Sequence, residues 1–159
     1  VEHELTPQQV RIYDAYAAAF AIIHNNLDAA MEAANITGGG EGGSPLYGAA
    51  ADAVEKQNFA AAIPLLQQVT SAEPQNADAW NLLGYSNRKL GNMAAAAKAY
   101  KSALRINPGH LGALEYQGEM FVQLGQIDDA KANLASLKSL CGTCEEMTEL
   151  QEAIAEAKS

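Results

Sequence analysis

The chain repeats itself every 34 residues, and few folds accommodate such a period. Pro74 and Pro108 stand one period apart, and Gly142 falls where a third proline would be. The same step carries Leu46 to Trp80 and Leu114, Ala50 to Gly84 and Gly118, and Gln57 to Gly91 and Gly125. It also carries Phe59 to Met93 and Ile127, Ala62 to Ala96 and Ala130, and Leu66 to Tyr100 and Leu134. Each copy offers two amphipathic helices of about 14 residues, joined by a short turn at "KQN", "LGN" or "LGQ". The small residues let paired helices approach closely. Large ones such as Trp80, Leu83, Tyr100, Leu114 and Leu134 fill the layers, and the prolines stop each second helix before the next copy begins. One helix pair cannot bury its apolar face, so the copies must stack.

The middle copy, "ADAWNLLGYSNRKLGNMAAAAKAYKSALRINPGH", carries Trp80, Leu83, Gly84, Gly91, Ala96, Tyr100, Ala103 and Pro108. On these residues, and on their echoes in both neighbours, the chain from about Gly43 to Gly142 resembles three tetratricopeptide repeats. The expected architecture is all-α: three helical hairpins over residues 45–142, then a capping helix over residues 143–159. In the capping helix Met147, Leu150 and Ile154 share one side and acids occupy the other, with Glu145 and Glu146 in the first turn complementing the helix dipole. The reading of this helix is structural.

Composition agrees and narrows the function. Apolar residues make up 48% of the 159, which excludes disorder throughout, and abundant Ala with few β-branched or aromatic residues favours helix. A formal charge of −9 argues against a nucleic-acid backbone or an anionic membrane as partner, since both need clustered Lys and Arg. No apolar run approaches the roughly 20 residues of a membrane span. The chain begins at Val1 with no signal peptide in view, so either a leader has been removed or the chain is a trimmed piece.

In tetratricopeptide proteins the first helices of successive repeats line a concave groove. The resemblance places Tyr47, Ala51, Val54 and Glu55 there from the first copy, and Asn81, Tyr85, Arg88 and Lys89 from the second. The third adds Glu115, Glu119, Val122 and Gln123. Of these, Tyr47, Val54, Asn81, Tyr85, Arg88, Lys89, Glu115, Glu119 and Gln123 are the peptide-binding candidates. Two tyrosines, an amide, a small basic cluster and two acids suit an amphipathic helix or an extended peptide. One subtype of the family grips chaperone C-terminal tails with Lys and Asn in its first repeats. Tyr47 and Ala51 stand at those positions here, which speaks against such a clamp. Glu115 and Glu119, four apart, read as a solvated face or as a contact for a basic ligand rather than as a catalytic acid pair.

Residues 1–37 lack the 34-residue pattern. Thr6, Pro7 and Gln9 form a helix start in capping-box spacing. From there Tyr13, Tyr16, Phe20, Ile23, Leu27 and Ala30 make one apolar stripe on a helix that would reach Asn35, about 43 Å if unbroken. His24–Asn26 is a candidate break. "ELTPQQVRIYDAYAAAFAIIHNNLDAAMEAANITG" resembles a segment of bacterial strawberry-notch-type helicase/methylase proteins. No phosphate-binding G-x-x-x-x-G-K-[ST] is present, so no helicase activity follows. Residues 38–44, "GGGEGGS", read as a flexible linker of about 15 Å mean span, natural or engineered, that would hold the helix at local concentrations up to the mM range. Three placements of the stripe are open: in the groove of its own array as a tethered ligand, against the first repeat as a cap, or exchanged between two chains. Tyr13, Tyr16, Phe20, Ile23 and Leu27 would make the contacts in any of them.

Cys141-Gly-Thr-Cys144 falls in the turn before the cap. It reads as a local staple, a disulfide when oxidised. A redox pair would want a thioredoxin-like βαβ setting, and a zinc site would need two further ligands that the scattered His3, His24 and His110 do not supply. Some bacterial tetratricopeptide proteins end in a similar cysteine-containing turn and helix. A disulfide would favour a periplasmic setting and free thiols a cytoplasmic one. The sequence thus describes a protein-binding module with no catalysis, cofactor or metal. The alternative is a redox or metal protein acting through Cys141 and Cys144.

Overall fold

The computed structural model describes residues 45–157 and, apart from them, Gln8. The expected N-terminal helix, the linker and the stripe of Tyr13, Tyr16, Phe20, Ile23 and Leu27 lie outside the described residues. Those described form seven helices and no strand: α1 (Pro45–Glu55), α2 (Phe59–Ala72), α3 (Ala77–Lys89), α4 (Met93–Ile106), α5 (Leu111–Gln123), α6 (Ile127–Cys141) and α7 (Glu145–Ala157). Consecutive pairs α1–α2, α3–α4 and α5–α6 are the three hairpins, and α7 packs on both helices of the last. None of these helices is long and apolar enough to cross a membrane.

The connections fall where the pattern puts them. "KQN", "LGN" and "LGQ" separate the helices of each hairpin, and Gln57, Gly91 and Gly125 at their centres all have positive φ, 58°, 84° and 75°. Glycine takes that conformation at little cost, whereas Gln57 carries a Cβ penalty. Asn58 and Asn76 cap α2 and α3 by accepting from the amides of Ala61 and Ala79. His110 does the same for α5 through Nδ1, accepting from Ala113 N at 3.0 Å. Pro64 lies inside α2. Its missing N–H removes one rung of the helix ladder, and Leu65, Leu66 and Val69 beyond it are nonetheless fully buried, so packing holds the helix through the gap.

The core runs as a chain of small clusters, as stacking demands. Ala50, Ala53, Ala62, Leu65, Leu66, Val69, Ala79, Leu83 and Ala99 form the first, spanning the α1–α2 and α3–α4 hairpins. Ala96, Tyr100 and Met120 form a second, and Leu114, Ala130, Leu137, Leu150 and Ile154 a third. Gly84 permits close approach to Tyr100: a Cβ there would stand 2.6 Å from Tyr100 Cε1. Gly118, one period later, meets Leu150 of α7 at the same distance rather than Leu134, which occupies Tyr100's place in the third copy. At Gly118 the cap thus supplies the contact that the hairpin's own second helix supplies at Gly84. Helices α3, α5 and α7 begin at Ala77, Leu111 and Glu145, again 34 residues apart. Cys141 and Cys144 are joined in a disulfide that closes the turn between α6 and α7, with Gly142 at positive φ as the C-cap.

Candidate functional site

An aromatic line crosses all three hairpins, from the start of α2 to the first helices α3 and α5. Phe59, at the start of α2, meets Tyr85 of α3 edge-on, with ring centroids 5.6 Å apart and planes at 76°. Tyr85 stacks obliquely on Tyr116 of α5, 4.6 Å away at 33°. All three rings are half-buried. They keep an exposed edge while their bodies join neighbouring repeats. The Tyr116 hydroxyl is pushed up to about 12, by burial first and then by the Glu115 carboxyl.

Cations flank this line. The Arg88 guanidinium lies 5.5 Å from the Tyr85 centroid and 5.9 Å from that of Tyr116, and Lys89 Nζ lies 5.4 Å from Tyr85. Arg88 donates to Glu119 at 2.7 Å and to Gln123 Oε1 at 2.9 Å, tying α3 to α5. Only 6% of Arg88 is exposed, so its charge belongs to the scaffold more than to solvent.

Beside Glu119 stand two more acids. Carboxylate oxygens of Glu115, Glu119 and Glu149 lie within 4.8 Å of one another. The sequence expectation of an exposed Glu115/Glu119 pair does not hold for Glu115, which is 4% exposed. The reason is α7, which packs on α5 and brings Glu149 alongside. Burial first, then Glu149, push the Glu115 carboxyl up from 4.5 to about 9.

The remaining candidates are spread around this centre. Lys89 and Gln123 are exposed, and Glu119 is half-buried. Asn81 is 6% exposed, deeper than a solvated groove position, because α5 closes over it: a Cβ on Gly112 would stand 3.1 Å from Asn81 Nδ2. Tyr47 and Val54 sit apart on α1, half-buried against the first core cluster. Burial, then the Asp78 charge, raise the Tyr47 hydroxyl. His110 Nε2 lies 2.6 Å from Asp78, a second tie between the α3–α4 and α5–α6 hairpins. The structure therefore gathers Tyr85, Arg88, Lys89, Glu115, Glu119 and Gln123 into one patch. It adds Phe59, Tyr116 and Glu149, which the sequence reading did not select.

Residues 47–110 match the family model described as tetratricopeptide repeat. The array is a tetratricopeptide fold. No curated protein matches the sequence. Among solved structures, the tetratricopeptide array is similar to the first TPR of Spaghetti (RPAP3) bound to the HSP90 peptide SRMEEVD, at 19% identity and TM-score 0.64, over 72% of this chain and 91% of that one. It is similar to TTC0263, a thermophilic TPR protein of Thermus thermophilus, at 21% identity and TM-score 0.63, over 93% of this chain and 76% of that one. It is also similar to MamA MSR-1 C2, at 22% identity and TM-score 0.55, over 87% and 72% respectively. None of these matches carries the strawberry-notch resemblance of residues 1–37. The likeness to these structures is one of fold, helical hairpins stacked in an array.

Proposed function

We propose that the first-helix face of this tetratricopeptide array holds a helical or extended segment of a partner protein, anchored on Tyr85 and Tyr116. The observation that carries the reading is the stacked, half-buried ring pair with cations at its rim. Rigid aromatic surface lowers the entropic cost of binding and supplies most of the energy at such interfaces. One structural neighbour is bound to a peptide, in keeping with this use of the fold. A clamp for chaperone tails is not expected here, since Tyr47 and Ala51 stand where that subtype of the family has Lys and Asn, and Arg88 is already paired with Glu119. The disulfide between Cys141 and Cys144 closes the turn that seats α7, and its role is structural rather than redox or metal-binding.

The test is selection of peptides on the full chain, followed by comparison with Tyr85→Ala. Loss of affinity of about tenfold or more, with an unchanged helical spectrum, supports the reading. Selected peptides that bind Tyr85→Ala and Tyr116→Ala as tightly as the parent would overturn it.

The chain's own N-terminal stripe is a second candidate occupant, in cis or exchanged between two chains, motivated by its apolar spacing and the glycine linker. Ring resonances of Tyr85 and Tyr116 that shift on Phe20→Ala in the full chain would support it. Unchanged rings would place the stripe elsewhere.

A further inference from the structure

We infer that the groove between α6 and α7, at the far end of the array from Pro45, is the seat for the N-terminal stripe of a second copy of this chain. Leu134 and Ala135 of α6 and Ile154 and Ala155 of α7 line this groove of about 450 Å³, together with Lys131 and Lys138. Ala135 and Ala155 are exposed and Leu134 is half-buried, so apolar surface stands open to a further helix. One period earlier the corresponding positions are covered. Leu104 and Phe121, 34 residues before Lys138 and Ala155, pack into the core cluster that holds Ala130 and Leu137 of α6. Among the described residues no helix follows α7 to do the same.

Charge selects the occupant. Lys131 and Lys138 are exposed, neither forms an ion pair among the described residues, and no acid lines the groove. In a chain with 19 acids against 10 Lys and Arg, this end carries a local excess of positive charge. Residues 1–37 offer the complement, since Glu2, Glu4, Asp14, Asp28 and Glu32 stand against Arg11 alone. Asp28 directly follows Leu27 of the stripe, and Glu32 comes one helical turn later. The first-helix face is the other surface with apolar area for the stripe. There Arg88 and Lys89 are offset by Glu119 and Glu149, while the end groove holds two uncompensated lysines. The stripe's large apolar residues supply the binding, and the lysines decide between the two faces.

Reach makes the donor a second chain. A helix seated in the groove runs along α6 and α7, across the stacking direction, so the connection to Pro45 must span the array. Neighbouring helices pack about 8–10 Å apart, so the three steps from α1 through α3 and α5 to α7 take up about 24–30 Å. Residues 36–44 extend to about 30 Å at most, against a mean span of about 15 Å for the glycine linker. Near full extension the local concentration of a tethered helix collapses, and a stripe from another copy bears no such limit. Each copy then offers one stripe and one seat, a contact that closes as a reciprocal pair or ring, or continues from chain to chain. It leaves Tyr85 and Tyr116 to the partner proposed above.

The test is sedimentation of the full chain beside two double variants, each checked for a parent-like thermal midpoint. Phe20→Asp with Leu27→Asp breaks the stripe and keeps the seat, whereas Lys131→Glu with Lys138→Glu reverses the charge of the seat and keeps the stripe. The parent should self-associate as its concentration rises, and each variant alone should do so about tenfold more weakly. An equimolar mixture should form a one-to-one heterodimer, the stripe of one variant in the intact seat of the other. Adding Asp28→Lys and Glu32→Lys to the seat variant should restore its self-association severalfold at low salt. A parent that stays monomeric up to about 1 mM overturns the inference. So does a stripe variant that associates like the parent, which would mark a contact between two end grooves. A seat variant that does the same would put the stripe on another face and overturn it equally, as would variants that fail to pair when mixed.

Discussion

Leu150 lies on the backbone of Gly118, close enough that a Cβ added there would stand 2.6 Å from its Cδ2. Gly84 stands in the same relation to Tyr100. Both neighbours are fully buried, but a tyrosine ring has fewer ways to move aside than the tip of a leucine. Gly84→Ala should therefore cost about 1–3 kcal/mol by overpacking, and Gly118→Ala should fall toward the lower end of that range. Urea unfolding of each variant measures the difference. Equal stabilities in variants and parent would show that both helix pairs relax freely.

The three hairpin turns share a left-handed residue, yet only two fill it with glycine. Gln57→Gly should stabilise the chain by up to about 1 kcal/mol, and Gly91→Ala should destabilise it by about the same amount. Opposite shifts in thermal midpoint are the expected outcome. Shifts of the same sign would mean that turn geometry does not decide the effect.

Glu115 makes stability depend on pH in an unusual direction for an acid. Its folded value is raised, so between about 4.5 and about 9 the folded chain holds a proton that the unfolded chain has lost. The contribution is fully present below that window and is lost as pH rises through it, by at most about 1.4 kcal/mol per pH unit. Glu115→Gln, which mimics the protonated form, should flatten this part of the profile and change little at its acid end. A variant profile parallel to the parent's would assign the dependence to other groups.

Replacing both Cys141 and Cys144 by serine should lower stability by about 2 kcal/mol, the loop-closure value for so short a ring. The loss should concentrate in α7, seen as faster amide exchange at Leu150 and Ile154, with α1–α4 unaffected. Uniform loss across the array would show one cooperative unit instead.

Much of this fold is legible in the sequence because a 34-residue period leaves little choice. The turns, the close approaches at Gly84 and Gly118, and the buried side of α7 all sit at positions that the pattern marks. The candidate site is legible only in part. Sequence register pairs Tyr85 with Glu119, whereas the offset between stacked helices brings Tyr85 onto Tyr116, three residues earlier. Glu149 reads in the sequence as one of the cap's solvated acids. One more step of the period from Glu115 arrives at it. Arg88 reads there as part of a small basic cluster in the groove, because nothing in the chain near it announces partners 31 and 35 residues away.

The even spacing of Ala77, Leu111 and Glu145 makes the cap interchangeable in register with a repeat. Duplicating residues 77–110 in place would insert a second copy of Tyr85 and Arg88 while leaving Gly118 and its seat for Leu150 intact. The array is in that sense a ruler with a fixed end stop, and its length can be set one hairpin at a time.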